Sequence, residues 1–176
     1  MKKPVLWFLL SLLLVLSGCG QETGYPEDGL AQGELGDTMH SYFFDYTLHQ
    51  ATLQQEFQDL QPAQEGDAFW VADVEVKNTG KEPITMYDVD FRVEWGEDLY
   101  DAPITYYQEP VSKKQLPIEY ELQGGESRRG LLVFEIPKET KEVALCYQEA
   151  FENGTEGGEP GDKFRVVVPV TAAEEE

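Results

Sequence analysis

Hydrophobic and polar side chains alternate along two runs of the chain, which together cover residues 69–95. The apolar positions are Trp70, Ala72, Val74 and Val76 in the first run and Tyr87, Val89, Phe91, Val93 and Trp95 in the second. A period of two is typical of a half-buried β-strand, and the β-branched and aromatic residues favour a strand over an amphipathic helix. The two runs therefore predict either a hairpin or neighbouring strands that cross between two sheets.

Short runs of the same kind recur through the rest of the chain, separated by turns rich in Gly and Pro. They lie at 37–53, 118–122, 131–136, 143–147 and 164–170. About seven to eight such strands without a sustained helical period predict an all-β fold, an antiparallel immunoglobulin-like β-sandwich over 37–170. The longest irregular region is the Pro-rich loop at 101–117, and loops of that length are often functional.

The N-terminal segment begins with Met1-Lys2-Lys3 and continues as an apolar run from 5 to 16. This run is too short for a transmembrane helix, which needs about 20 residues, and it is typical of a secretory signal peptide. We expect a signal peptide at 1–18, a flexible Gly- and Glu-rich tether at 19–36 and a disordered acidic tail at 171–176.

The end of the signal segment, Leu16-Ser17-Gly18-Cys19, resembles the lipobox of bacterial lipoproteins. The resemblance implies cleavage before Cys19 and a diacylglyceryl-type anchor on that residue, which would hold the protein on the extracellular face of the cell membrane. An ordinary signal peptide with an incidental Cys is the alternative. With Cys19 modified, Cys146 has no disulfide partner, so packing must hold the sandwich. The expected core members are Trp70, Phe91, Trp95, Phe134 and Phe164.

Acidic residues greatly outnumber basic ones in this chain of 176 residues. There are 34 Asp and Glu against 13 Lys and Arg, for a formal net charge of −21. Such a surface repels nucleic acid and attracts cations and basic partners, although solubility alone would also explain it. A hydrophobic content of 41% with 12% aromatic residues is sufficient for a packed core, which argues against global disorder.

The residues that could carry out catalysis are few and scattered. The two histidines, His40 and His49, lie near the start of the domain, and the thiol of Cys146 lies in a predicted strand as a small hydrophobe. The chain has no nucleophile-elbow motif, no phosphate-binding Gly loop with Lys and no Cys-x-x-Cys. We therefore predict a non-enzymatic protein without a cofactor.

Two sets of residues are candidates for binding. Tyr106 and Tyr107 in the Pro-rich loop offer large rigid surfaces with polar tips, which suit recognition of a protein or envelope component. The alternative is that they cap the open end of the sandwich. The second set consists of four carboxylates that could gather Ca²⁺: Asp88, Asp90, Asp98 and Asp101. The alternative is that these carboxylates only form a solvated surface. A binding module of unknown ligand is thus the first hypothesis, and an accessory lipoprotein that captures Ca²⁺ or a small solute is the second.

Several motifs are similar to those of a known family. They are FWVADVEVKNTG at 69–80, Pro83-Ile84, GGE at 124–126 and GLLVFEIP at 130–137. Together they resemble the immunoglobulin-like domain-of-unknown-function family of type 4352, found in lipoproteins of Gram-positive bacteria. The resemblance covers about residues 36–170 and implies a fold similar to that of secreted mycobacterial immunoprotective antigens. It brings no established catalytic or binding residues.

Overall fold

A computed structural model describes residues 29–151 and 159–171, and within these ranges the chain forms eleven strands and two short 3₁₀ turns. The strands are β1 Leu30–Gly33, β2 Thr38–His40, β3 Asp45–Gln54, β4 Asp67–Lys77, β5 Ile84–Tyr87, β6 Phe91–Gly96, β7 Leu99–Asp101, β8 Glu119–Leu122, β9 Ser127–Pro137, β10 Glu142–Phe151 and β11 Glu159–Pro169. The 3₁₀ turns are η1 Asp88–Asp90 and η2 Ile104–Tyr106.

Two sheets form the predicted β-sandwich. One has five strands in the order β1-β11-β10-β6-β7, and the other has four in the order β2-β3-β4-β9; a separate ribbon pairs β5 with β8. All of these pairs are antiparallel except β1 with β11. The chain passes from β4 in one sheet to β6 in the other, so the two alternating runs cross between sheets and do not form a hairpin.

The core lies between the inward faces of the two sheets. Of the five aromatic residues expected there, Trp70, Phe91, Phe134 and Phe164 are fully buried, whereas Trp95 is half-buried and packs against the edge of the core. Phe91 makes an edge-on contact with Tyr46, with ring centroids 5.3 Å apart. Such aromatic pairs add to the free energy gained by burying apolar area, so packing holds the two sheets together as the sequence predicts.

The second alternating run is not one strand, and here the prediction was wrong. Residues 84–96 are divided into β5, η1 and β6. An Asp90 carboxylate oxygen accepts a hydrogen bond from the Tyr87 N–H at 2.8 Å, which closes a local turn, and the Asp88 N–H donates to the Ile118 carbonyl at 3.2 Å. As a result Asp88 is buried instead of lying on a solvated strand face.

Part of the predicted tether is also ordered. Strand β1 pairs with the last strand, from Leu30 opposite Lys163 to Gly33 opposite Val166, so the folded domain begins before residue 37. Backbone pairing, which does not need an apolar sequence, explains why composition did not reveal this strand. Residues 1–28 and 172–176, which include the predicted signal peptide, Cys19, the rest of the tether and nearly all of the tail, lie outside the described residues.

The turn after β4 is organised by one buried side chain, that of Asn78. Its Nδ2 donates to the carbonyls of Glu82 at 2.8 Å and Leu122 at 3.0 Å, and its Oδ1 accepts from the Gly80 N–H at 2.8 Å. The Gly125 N–H in turn donates to the Asn78 carbonyl at 2.9 Å. The Asn-Thr-Gly motif therefore has a structural role: it joins the turn that leaves β4 to the turn that enters β9.

Candidate functional site

The turn η2 presents two adjacent tyrosines at the surface. Tyr106 is 64% exposed and Tyr107 is 74% exposed, whereas the preceding Ile104 and Thr105 are buried. The two rings lie edge to face, with centroids 4.9 Å apart. The Tyr106 N–H donates to the Pro103 carbonyl at 2.9 Å and the Tyr107 N–H to that of Ile104 at 3.0 Å. The tyrosines thus do not cap the sandwich; they form an exposed pair on an anchored turn.

A small pocket of about 220 Å³ lies beside this tyrosine pair. Three acidic residues from separate elements line it together with Tyr107: Asp67, Asp101 and Glu135. Glu135 accepts a hydrogen bond from the Gln64 N–H at 3.0 Å, and Asp101 accepts one from the Ala102 N–H at 2.7 Å. An aromatic face next to carboxylates attracts a cationic group through charge and cation–π interaction.

A larger cleft of about 470 Å³ lies on the outer face of the five-stranded sheet. Three residues lie side by side across β6, β10 and β11: Arg92, Cys146 and Arg165. The small Cys146 side chain leaves room between the two long arginine side chains. Glu94 forms ion pairs with Lys163 and, at 3.3 Å, with Arg165. This cleft was missed in the sequence because only the register of three strands brings its residues together.

Burial disfavours the reactive thiolate form of the thiol at the floor of this cleft. Cys146 is 4% exposed, and burial, with the nearby Glu94 carboxylate, raises the pKa of its thiol to about 12. A protonated thiol is unreactive at neutral pH. The two histidines lie on the other sheet, where His40 pairs with Asp45 at 2.9 Å and His49 with Glu75 at 3.1 Å. The thiol and the imidazoles therefore do not form a catalytic pair.

The four carboxylates predicted to gather Ca²⁺ do not converge. Asp88 is buried in η1, Asp90 is half-buried at the end of that turn, Asp98 lies in an exposed turn with φ of 59°, and Asp101 lines the pocket near Tyr107. Burial raises the pKa of both Asp88 and Asp90. Across residues 29–151 and 159–171, no group of three or more His, Cys, Asp or Glu side chains could hold a metal ion. Within the same ranges, no helix is long and apolar enough to cross a membrane.

The comparisons with known proteins agree with this architecture. A family model described as a domain of unknown function, DUF4352, matches residues 33–156. No protein with a curated description matches the chain.

Two solved structures from Bacillus subtilis have similar folds. One is ycdA, a candidate lipoprotein, at 19% identity and a TM-score of 0.57; the match covers 76% of this chain and 39% of ycdA. The other is yjhA, at 14% identity and a TM-score of 0.50, and there the match covers 76% of this chain and 98% of yjhA. At such identities the likeness establishes the fold alone.

Proposed function

Because the chain belongs to the DUF4352 family of domains of unknown function, as its motifs predicted, we propose a role for it from the features of its own sandwich. It is a lipid-anchored, extracellular bacterial protein whose sandwich is a non-enzymatic binding module. The lipobox-like Leu16–Cys19 supports the anchor, and so does the structural similarity to a candidate lipoprotein. The protonated thiol of Cys146 and the separation of the histidines from it support a role without catalysis.

The observation that carries the proposal is the exposed tyrosine pair. Large aromatic side chains that are left in solvent cost free energy unless a partner covers them, and tyrosine is enriched at binding hot spots. The pair is already positioned by the buried Ile104 and Thr105 and by the backbone hydrogen bonds of η2. A partner would therefore pay little conformational entropy when it orders these rings.

The pocket beside the pair indicates the chemistry of the partner. Asp67, Asp101 and Glu135 line a space of about 220 Å³, and Tyr107 forms part of its wall. The partner is therefore a protein segment with an exposed Lys or Arg, whose charged head enters the pocket while neighbouring groups cover the tyrosines. The acidic net charge would speed its approach.

A direct test uses a fluorescent peptide that carries several Lys and Arg residues, with binding followed by anisotropy. We expect the Tyr106→Ala/Tyr107→Ala variant to bind at least tenfold more weakly than the wild type, because hot-spot aromatic residues contribute about 2 kcal/mol or more. Tyr100→Ala is the matched control, since Tyr100 is 56% exposed but lines the other cleft. Equal affinities for all three proteins would mean diffuse attraction to the acidic surface and would refute the site.

The anchor is tested separately by fractionation of cells that express the full chain. Wild-type protein should partition with the membrane and the Cys19→Ala variant should be released. Cys146→Ala removes the other cysteine, which is buried in the domain, and should stay with the membrane. Equal solubility of the wild type and Cys19→Ala would refute the anchor.

The cleft on the five-stranded sheet favours a second candidate function, the capture of a small solute. Its volume of about 470 Å³ lies within the usual range for ligand pockets, and Arg92 and Lys163 place positive charge beside Asp90 and Glu94 in its wall. The Arg92 guanidinium lies over the Tyr100 ring, 5.3 Å from its centroid. A small carboxylate such as citrate should therefore raise the melting temperature of the wild type but not of Arg92→Ala. The same response in both proteins would exclude the cleft.

A further inference from the structure

Three buried polar side chains near η1 and η2 lack a hydrogen-bond partner among the described residues. Asp88 is 1% exposed, Tyr120 5% and Thr105 7%, and the two Asp88 carboxylate oxygens and both hydroxyl oxygens are unpartnered. Buried polar groups are nearly always hydrogen-bonded, because an unpaired one costs about 1–3 kcal/mol and a charged one costs more. A set of unpartnered groups of this kind needs an explanation.

Burial by itself does not leave carboxylates unpaired in this protein. Glu149 is 2% exposed, yet its two oxygens accept hydrogen bonds from the Tyr42 N–H at 2.6 Å and the Asp162 N–H at 3.2 Å. Tyr46, Trp70 and Arg165 also bury an unpartnered atom, but Tyr46 and Trp70 are neutral and lie in the apolar core, and the Arg165 guanidinium is ion-paired with Glu94 at 3.3 Å. Asp88 is different because it is a buried acid whose polar neighbours are unpartnered as well.

The unpartnered groups lie together. The Thr105 hydroxyl and the backbone N–H groups of Val89 and Asp88 lie beside the Asp88 carboxylate, although none of them reaches hydrogen-bond geometry. Burial raises the pKa of the Tyr120 hydroxyl, and the charges of Asp90 and Asp88 raise it further. The Arg128 guanidinium, 5.2 Å from the Tyr120 ring centroid, opposes them. The backbone supports this placement, since Met86 is opposite Tyr120 in the β5–β8 ribbon and the Asp88 N–H donates to Ile118.

The chemistry of these groups favours a hard cation. They supply oxygen ligands, among them a carboxylate whose two oxygens have no partner in hydrogen-bond geometry, and Ca²⁺ takes oxygen ligands from carboxylates, hydroxyls, backbone carbonyls and water. We propose that Asp88 and Thr105 hold a Ca²⁺ ion between the turns η1 and η2, with Tyr120 beside it and with water or backbone carbonyls completing its ligands. One full carboxylate makes a weak site, with an affinity in the millimolar range known for extracellular modules.

The site has a consequence for the binding surface, and this consequence rests on the function proposed above. Thr105 immediately precedes Tyr106, so an ion that bridges Asp88 and Thr105 ties the tyrosine pair to η1. Fixing the turn lowers the entropy that a partner must remove. Binding of the basic peptide should therefore be tighter with Ca²⁺ than in EDTA at the same ionic strength.

The melting temperature of the folded chain tests the site itself. CaCl₂ at 10 mM should raise it by several degrees over EDTA, because an ion that binds only the folded state stabilises that state, and NaCl at equal ionic strength should not. Asp88→Asn keeps the side-chain volume and should abolish the response, as should Thr105→Val in large part. Asp98→Asn, which removes an exposed acid from another turn, should respond like the wild type.

The possible outcomes separate the claims. No response of the wild type to CaCl₂ would mean that only water occupies the site and would overturn the proposal. An equal response of wild type and Asp88→Asn would assign the effect to diffuse binding on the acidic surface and would overturn it too. A response confined to chains that retain Asp88, without any change in peptide affinity, would support the ion site and refute its link to the tyrosine pair.

Discussion

Replacement of Asn78 by Ala tests whether the most recognisable motif of the chain is structural. The substitution removes three hydrogen bonds: those that Nδ2 donates to the Glu82 and Leu122 carbonyls and the one that Oδ1 accepts from Gly80. Each such bond contributes about 1 kcal/mol net. Water can replace the partners at the exposed Glu82 and Gly80 more easily than at the buried Leu122. We therefore expect the free energy of unfolding to fall by about 2–3 kcal/mol.

Urea denaturation followed by tryptophan fluorescence measures this loss, since Trp70 is fully buried in β4. The midpoint should fall while the slope of the transition stays the same, because the surface exposed on unfolding does not change. Thr79→Ala is the matched control: Thr79 is the exposed neighbour of Asn78, and its loss should change the stability by less than about 0.5 kcal/mol. If Asn78→Ala and Thr79→Ala unfold at the same urea concentration, the structural role of the motif is refuted.

Three further predictions follow from particular contacts. Gly124→Ala should lower the urea midpoint markedly, because a Cβ there would lie 2.5 Å from the Lys81 carbonyl oxygen; a midpoint equal to that of the wild type would contradict this contact. Burial raises the pKa of Asp88 above its unfolded value, so its ionisation destabilises the fold at neutral pH. In EDTA, Asp88→Asn should therefore be more stable than the wild type near pH 7, with the difference shrinking as the pH falls towards about 4. Hydrogen bonds from Arg129 at 2.8 and 2.9 Å lower the pKa of Asp73, so this pair adds a small stability that is present above the unfolded pKa and lost as the pH falls through the folded one. Asp73→Asn should accordingly show a weaker acid dependence in pH-dependent unfolding, and an unchanged profile would argue against the pair.

The fold class and most of the core could be read from local pattern. Trp70, Phe91, Phe134 and Phe164 were expected in the core and are buried there, because in a strand every second side chain faces the same way and the apolar ones must face the other sheet. The family motifs were read correctly as well, but they did not indicate the role of Asn78, because only the fold places the Leu122 carbonyl next to it.

The candidate sites could be predicted only in part. Tyr106 and Tyr107 were selected by type and loop position, but sequence left open whether they cap the sandwich or face solvent. That choice depends on how the buried Ile104 and Thr105 anchor η2. The cleft around Arg92 and Cys146 had no local signal, because it results from the register of three strands that are distant along the chain.

The sequence by itself determined an acidic all-β sandwich held by packing, since strand alternation and charge are local properties of the chain. Only the tertiary structure decided which acidic residue of the described ranges 29–151 and 159–171 is buried without a hydrogen-bond partner. In the sequence Asp88 is indistinguishable from the solvated carboxylates around it, because the period of two continues through the turn that interrupts the strand. Thr105 and Ile118, the residue before β8, are distant from Asp88 along the chain, and only the folded chain places them beside it. Burial is a property of the whole packing, and it therefore could not be read from the residues next to Asp88.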